Sequence, residues 1–429
     1  MKMFVLMWLA CFGSASHAAT VGQVLTYRKL QGHQIVRISG DSLDTFLSEA
    51  LKAIPSLDIL HRHSVGETRA RVAPTDKEAF HSLLAHSDLE HDVEVEDLSE
   101  YLRAHDLKQQ RAASARLEET CDESGCPAPL KSSYMTFEQM ERYMMDLASN
   151  NPARVQLTSI GKSFEGRDIW MVHVSPDGSR ISDSDSASPG SVWIEGGLHA
   201  REWISPSSTL HLLHERVTAC DSQCDLDYYF VPIANPDGYE YSRTTDRMWR
   251  KNRAVTTRSD CGGVDLNRNW DYKFGVGASS DPCSETYMGP AAFSEPETRA
   301  LSNAMSKVDN LKLMITFHSF GQAVLYPWGW TNEPIEDKEQ LVRAGNAFAD
   351  AAMRITGKSY AVENSAGGLY FASGATDDWA KKVLNAPYSF TIELRDSGMN
   401  GFILDASEIG PTAREVVAGV SALISEIRK

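Results

Sequence analysis

The sequence predicts an α/β protein, a mixed sheet with helices on both faces, preceded by a smaller α+β unit. Three observations carry that prediction. From Met135 onward, helix-period stretches alternate with short strand candidates. Those strand candidates are apolar runs without polar alternation, as expected where both sheet faces are covered. Upstream of about Ser99, shorter strand and helix patterns alternate over a span that holds only a small core.

The chain opens with Lys2, an apolar run from Phe4 to Phe12, and small residues at Ser16 and Ala18. This is the form of a secretory signal over residues 1–18, and it predicts a secreted, extracellular mature protein. The run is too short to span a bilayer, and no later stretch approaches ~18 uninterrupted apolar residues, so no membrane partner is expected. Within residues 19–98 the α+β pattern runs through His33 to Ser39, Ser42 to Ala53, Leu57 to Ala73, Asp76 to His86 and Asp92 to Leu98. A charged, helix-permissive connector follows over residues 99–116. Its Arg116, with Arg111 as second choice, suits nicking by a trypsin-like protease, although a plain linker has the same composition.

The larger domain is expected over residues 117–429, beginning with a loop-like stretch to Leu130. Its helical candidates are Thr136 to Ser149, Ser205 to Thr218, Glu295 to Val308 and Lys338 to Thr356. The strand candidates are Asp168 to Val174, Ser191 to Glu195, Leu226 to Val231, Lys312 to Phe317 and Ser389 to Leu394. Ser175 to Gly190, rich in Ser, Asp, Pro and Gly, reads as a surface loop.

A formal net charge of −16 argues against nucleic acid and anionic membranes as partners. Beyond the signal stand Cys121, Cys126, Cys220, Cys224, Cys261 and Cys283, an even set for an oxidising compartment. Their spacing favours the local pairs Cys121 with Cys126, Cys220 with Cys224 and Cys261 with Cys283. Other connectivities, and a four-cysteine zinc site, stay open at this stage.

The densest chemical signal is Gly196-Gly197-Leu198-His199-Ala200-Arg201-Glu202, where an apolar strand ends and a helix opens at Ser205-Pro206. Ligand sites in open α/β sheets lie at that end of the strands. A hydrolytic zinc site needs three His, Asp or Glu ligands and one open position. His199 and Glu202 supply two, and His318, closing the apolar run Leu313 to Phe317, is the best third candidate. Asp265 is a candidate acceptor that would fix the tautomer of a ligand histidine, with a loop or cap role as the alternative. Glu393 ends a run too apolar to be solvated, and a buried carboxylate there must be paired, hydrogen-bonded or functional.

With these motifs together, the chain resembles the pancreatic-type zinc carboxypeptidases of the A/B family, nearest their B-type members, over nearly its whole length. The resemblance implies a mixed eight-stranded-type sheet, a ferredoxin-like pro-domain, one Zn2+ per chain, peptide C-termini as substrate, and a monomer. It implies His199, Glu202 and His318 as zinc ligands and Glu393 as the general acid/base. Arg250, directly after Trp249, matches the oxyanion-stabilising arginine, while Arg253 is read as part of a solvated face. Asn267, Arg268 and Tyr370 match the residues that hold the substrate carboxylate, with Arg201, Ser319 and Phe320 along the approach. Asp377, two before Trp379, falls where the family places the floor of the terminal side-chain pocket, and an aspartate there implies Lys or Arg termini. Gly374 and Ala375 are expected to leave room for a long side chain. Phe320 replaces a frequent tyrosine, and Phe371 a frequent polar residue; both substitutions are expected to act on outer subsites.

Overall fold

The computed structural model describes residues 27–63, 66–116, 130, 133–175, 190–218, 226–258, 261–368, 371–396, 398 and 400–429, with backbone alone at 61–63 and 108–116. The signal segment, Cys121, Cys126, Cys220, Cys224 and Tyr370 lie outside the described residues.

Two sheets organise the chain. The N-terminal one contains β1 (Gln34–Ser39), β2 (Asp58–His63), β3 (Glu67–Val72) and β4 (Glu90–Val95), all antiparallel in the order β2-β3-β1-β4. Helices α1 (Leu43–Ala53) and α2 (Lys77–Ala85) cover it, and Phe46, Leu47, Phe80 and Leu84 pack with Val36, Ile38 and Val72. The segment Leu57 to Ala73, continuous in the sequence pattern, is a hairpin that reverses near Gly66. The connector is one helix, α3 (Leu98–Arg116), as its composition predicted.

The second sheet is mixed and eight-stranded. It contains β5 (Val155–Lys162), β6 (Asp168–Val174), β7 (Ser191–Glu195), β8 (Asp227–Val231), β9 (Leu311–Ser319), β10 (Ala323–Tyr326), β11 (Ala361–Asn364) and β12 (Tyr388–Leu394), in the order β11-β10-β12-β9-β7-β8-β6-β5. The helices are α4 (Phe137–Asn150), α5 (Ile204–Thr218), α6 (Pro236–Thr244), α7 (Pro296–Met305), α8 (Lys338–Thr356), the single turn α9 (Ser365–Gly368), α10 (Thr376–Lys382) and α11 (Ile409–Ile427). Thr136 and Gln139 form a reciprocal capping box that starts α4.

Strand alternation sorts the central residues between the two faces. Leu313, Ile315 and Phe317 of β9, with Phe390, Ile392 and Leu394 of β12, enter the core shared with α5, α8 and α11. Met314 faces the opposite core with Trp193, Trp270 and Trp379, so Thr316 and His318 share that side. Parallel pairing sets Glu393 directly beside His318. The register alone therefore places a histidine and a carboxylate together at the strand ends.

Between β7 and α5 the chain turns sharply at Gly197, where φ is +66°. A Cβ there would sit 3.3 Å from the Ile233 backbone, so glycine is what lets the strand end approach its neighbour. The next residues, Leu198 to Glu202, are buried.

The two units meet over this end of the large sheet. Asp58 of β2 accepts from both Nη1 and Nη2 of Arg201, and Arg71 of β3 bridges Asp58 at 3.1 Å and Glu285 at 2.8 Å. Phe320 and Phe402, 4.9 Å apart and edge to face, pack with Leu30, Leu98 and Leu102.

Candidate active site

Three ligand-type side chains converge at the C-terminal ends of β7 and β9. His199 Nδ1 lies 2.8 Å from Glu202 Oε1, and His318 Nδ1 lies 3.0 Å from Glu202 Oε2. The two imidazole Nδ1 atoms are 3.0 Å apart. All three residues are buried, and their ligand atoms lie within 4.8 Å of one another.

This arrangement fits a zinc ion. His199 presents its other nitrogen, Nε2, to Asp265 Oδ1 at 3.0 Å; donating there leaves Nδ1 as a lone pair. A second imidazole nitrogen and a carboxylate aimed at the same point are costly to bury unless a cation is shared among them. Burial opposes ionisation of Glu202, yet His199 and His318 overcome it and hold the carboxyl well below its usual range. Burial and the Arg250 charge push His199 down, keeping it in the neutral form a metal requires.

Asp265 does more than the sequence reading asked of it. Oδ1 takes His199 and also caps the turn through the Asn267 N–H, at 2.9 Å. Oδ2 accepts from Arg250 Nε at 3.2 Å and Nη2 at 3.0 Å. One carboxylate thus orients a ligand histidine and the arginine beside it, and the Arg250 charge leads the contacts that hold its carboxyl well below the usual range despite complete burial.

The same cavity is lined by Glu393, Arg250, Asn267, Arg268, Ser319, Phe320 and Asp377. Glu393 Oε2 has no hydrogen-bond partner among the described residues. Burial pushes its carboxyl up to about 8, with His318 and Arg250 pulling the other way. Asn267 Oδ1 accepts from the Thr376 N–H at 3.1 Å, tying the Asn267-Arg268 turn to the start of α10. Asp377 is buried in the first turn of α10.

Four sequence expectations change in detail. Arg201 is 1% exposed and bound to Asp58, so the N-terminal unit occupies it. Phe320 is buried against Phe402 as part of the contact between units, besides lining the cavity. Gly374 gives no room to a ligand: at φ +67°, a Cβ would lie 2.5 Å from the Arg268 carbonyl, so its role is close backbone approach. Ala375 does line the cavity. Arg253 is not simply solvated, since its guanidinium stacks 3.5 Å from the Tyr241 ring centroid.

Several site residues escaped the sequence. Ile59 and Leu60 of β2 reach into the cavity from the other unit. Ser365 and Thr391 line it near Asp377. Glu195 is fully buried on the strand beside that of His318, and a single carboxylate in an apolar strand has no spacing signal. Burial pushes it up to about 7. Thr316 Oγ1 stands 3.2 Å from His318 Nε2, in the position Asp265 holds for His199.

A sheet with a two-histidine, one-glutamate centre at its strand ends and a buried carboxylate alongside defines a metal-dependent hydrolase. Residues 140–419 match the zinc carboxypeptidase family, and the chain belongs to it. It is 36% identical over 304 residues to carboxypeptidase B of Astacus astacus, covering 69% of this chain and 98% of that one. It is 38% identical over 305 residues to a zinc carboxypeptidase of Simulium vittatum, covering 69% of this chain and 97% of the relative. The crystal structure of carboxypeptidase A from Helicoverpa armigera superposes with a TM-score of 0.83 at 30% identity, over 93% of this chain and 98% of that one. The protein is a zinc metallocarboxypeptidase, acting on peptide C-termini with one zinc ion. Cys261 and Cys283 form a disulfide, the pairing their spacing favoured. Among the described residues no helix is long and apolar enough to cross a membrane.

Proposed function

We propose that this is a B-type enzyme that removes C-terminal Lys and Arg, made as a secreted, monomeric precursor. One observation carries the specificity. Asp377 is a fully buried carboxylate at the cavity that also holds the metal cluster and Glu393, and among the described residues no cation hydrogen-bonds to it. A terminal ammonium or guanidinium supplies that missing partner, while an apolar side chain leaves a buried charge uncompensated.

In this reading His199, Glu202 and His318 hold the zinc. At such a centre a zinc ion supplies Lewis acidity toward a carbonyl and acidifies water. Glu393 accepts a proton and returns it to the leaving amine. Arg250, fixed by Asp265, donates to oxygen that gains negative charge. Arg268 with Asn267 and Tyr370 takes the substrate carboxylate, and the planar fork of an arginine suits that bidentate contact.

The N-terminal unit is read as a ferredoxin-like pro-domain, supported by its β-α-β-β-α-β order and by Ile59 and Leu60 in the active-site cavity. Domain limits of 19–98, 99–116 and 117–429, and cleavage after Arg116 by a trypsin-like protease, follow from that reading. The deciding assay is kcat/KM of the cut, zinc-loaded protein on peptides ending in Lys, Arg, Leu or Phe. Preference for Phe would return the enzyme to A-type specificity.

A further inference from the structure

Asp377 Oδ1 accepts the Asp378 N–H at 2.9 Å, and Oδ2 lies 3.2 Å from Ser365 Oγ. The same Ser365 Oγ lies 3.1 Å from the carbonyl oxygen of Tyr326. A serine hydroxyl carries one hydrogen and two lone pairs, so it donates to only one of these acceptors at a time. The proton on Asp377 decides which. With Asp377 ionised, Ser365 donates to Oδ2. With Asp377 protonated, the carboxyl donates to Ser365 Oγ, and the hydroxyl turns to the Tyr326 carbonyl. Either way the buried carboxyl keeps a partner, as buried polar groups do.

We propose that Ser365 gives the pocket a second substrate class, uncharged unbranched terminal side chains one heavy atom shorter than lysine, such as norleucine, methionine and glutamine, accepted while Asp377 carries a proton. The inference rests on the reading of Asp377 as the pocket floor. An uncharged side chain set against an ionised carboxylate strands a buried charge, and protonation removes that penalty. A lysine or arginine terminus instead displaces the proton: one carboxyl proton leaves to solvent as one cation enters, so charge balances.

The surroundings permit both states. On α10, the neighbouring Asp378 keeps its two oxygens on the Gly329 N–H, each at 3.0 Å. Across the cavity stand His318 of β9, Glu393 of β12 and Arg268 of the preceding turn. Ser365 of α9, Tyr326 at the end of β10 and Thr391 of β12 bring hydroxyls or a carbonyl and no ionised group. Burial raises the Asp377 carboxyl above its usual range, and the Asp378 N–H, Thr391, Ser365 and His318 offset only part of that.

The test compares two peptides that differ only in a C-terminal lysine or norleucine, with the cut, zinc-loaded enzyme between about pH 5 and 8. Both substrates share the zinc, Glu393 and the carboxylate clamp, so those titrations cancel in the ratio of kcat/KM values. Lysine remains charged throughout. The lysine-to-norleucine ratio is expected to climb about tenfold per pH unit across this range, because one substrate needs the ionised carboxyl and the other the protonated one. Asp377→Asn, whose amide donates to Ser365 as the protonated acid does, is expected to give a flat ratio near or below unity. Adding Ser365→Ala to Asp377→Asn is expected to lower norleucine cleavage severalfold, because the amide loses its acceptor. A strong lysine preference with a flat pH ratio in the wild type overturns this inference and leaves the B-type reading standing. No effect of Ser365→Ala in the Asp377→Asn background removes Ser365 from it. Absence of lysine preference at every pH sinks both.

Discussion

At the metal end of the cleft, every buried charge is matched inside the protein: Asp265 binds His199 and Arg250, and Glu202 sits between two imidazoles. At the pocket end, Asp377 meets a backbone N–H and a serine hydroxyl, and Glu393 between them leaves an oxygen without a hydrogen bond among the described residues. The difference teaches how one cavity divides its work. In the proposed function, matched charges are held in place and act on any peptide bond, whereas unmatched ones are completed by what arrives. The comparison breaks if removing an unmatched group harms the metal centre, or if removing a matched one alters only selectivity.

The largest effect is expected from Glu393→Gln. Turnover should fall by about 100- to 10,000-fold with zinc content unchanged, because the amide keeps the shape and loses the proton acceptor. His318→Ala should cost zinc itself, read by metal analysis after dialysis. Stoichiometric zinc and near-normal activity in His318→Ala would show the ligand set to be wrong. Next comes Asp377→Ile, expected to erase or invert the preference for Lys over Phe by about 100-fold or more at full zinc occupancy. A change confined to overall turnover, with the preference intact, would place Asp377 outside the pocket's selectivity.

A smaller effect is expected where the N-terminal unit meets the cleft. Asp58 is completely buried, and although burial alone would raise its carboxyl, Arg201 and Arg71 hold it down at about 2. Asp58→Asn leaves the Arg201 guanidinium without its carboxylate partner and Arg71 with Glu285 alone, a loss of about 3–5 kcal/mol for a buried pair broken on one side. The uncut chain should then cleave a small peptide faster, while the cut enzyme is unaffected. Equal activity of uncut Asp58→Asn and uncut wild type would mean that Arg201 is not what the unit restrains.

The sequence made the central strands and the metal end readable for a physical reason. β7, β9 and β12 are covered on both faces, so they stand out as apolar runs, and His199, Glu202, His318 and Glu393 sit where those runs stop. The edges were not readable. β5 shows mixed exposure, and β10 and β11 have four residues each, too short for a period to emerge. The long helix α11 was missed because Gly410, Pro411, Gly419 and several β-branched residues weaken its local preference. Gly419 has a packing purpose instead: a Cβ there would lie 2.5 Å from the Phe348 ring. Ser365 and Asp58 carry no motif at all; only folding brings a serine after β11 to Asp377, and a strand of one unit to an arginine of the other.

The smallest expected effect sharpens the comparison through pH, using the protein stripped of zinc by a chelator. In the folded chain Glu393 is pushed up to about 8 from an ordinary 4.5, so between those values the folded state keeps a proton that the unfolded chain has released. Stability from this group is complete below about 4.5 and declines as pH rises toward 8, by up to about 1.4 kcal/mol per pH unit. Glu195 and Glu297, both raised by burial to about 7, act in the same direction. The matched carboxylates Glu202 and Asp265 have the opposite sign: their positions are depressed, so their contribution is present at neutral pH and is lost as pH falls. Urea denaturation of the chelated protein should therefore show stability falling between about pH 5 and 8 in the wild type. Glu393→Gln should fall less steeply, since one titrating group is gone and the residual slope belongs to the other carboxyls that burial raises, Glu195, Glu297 and Asp377 among them. An unchanged slope in Glu393→Gln would mean that Glu393 is ionised and compensated in the folded chain, and the contrast between matched and unmatched charge would no longer separate the two ends of the cleft.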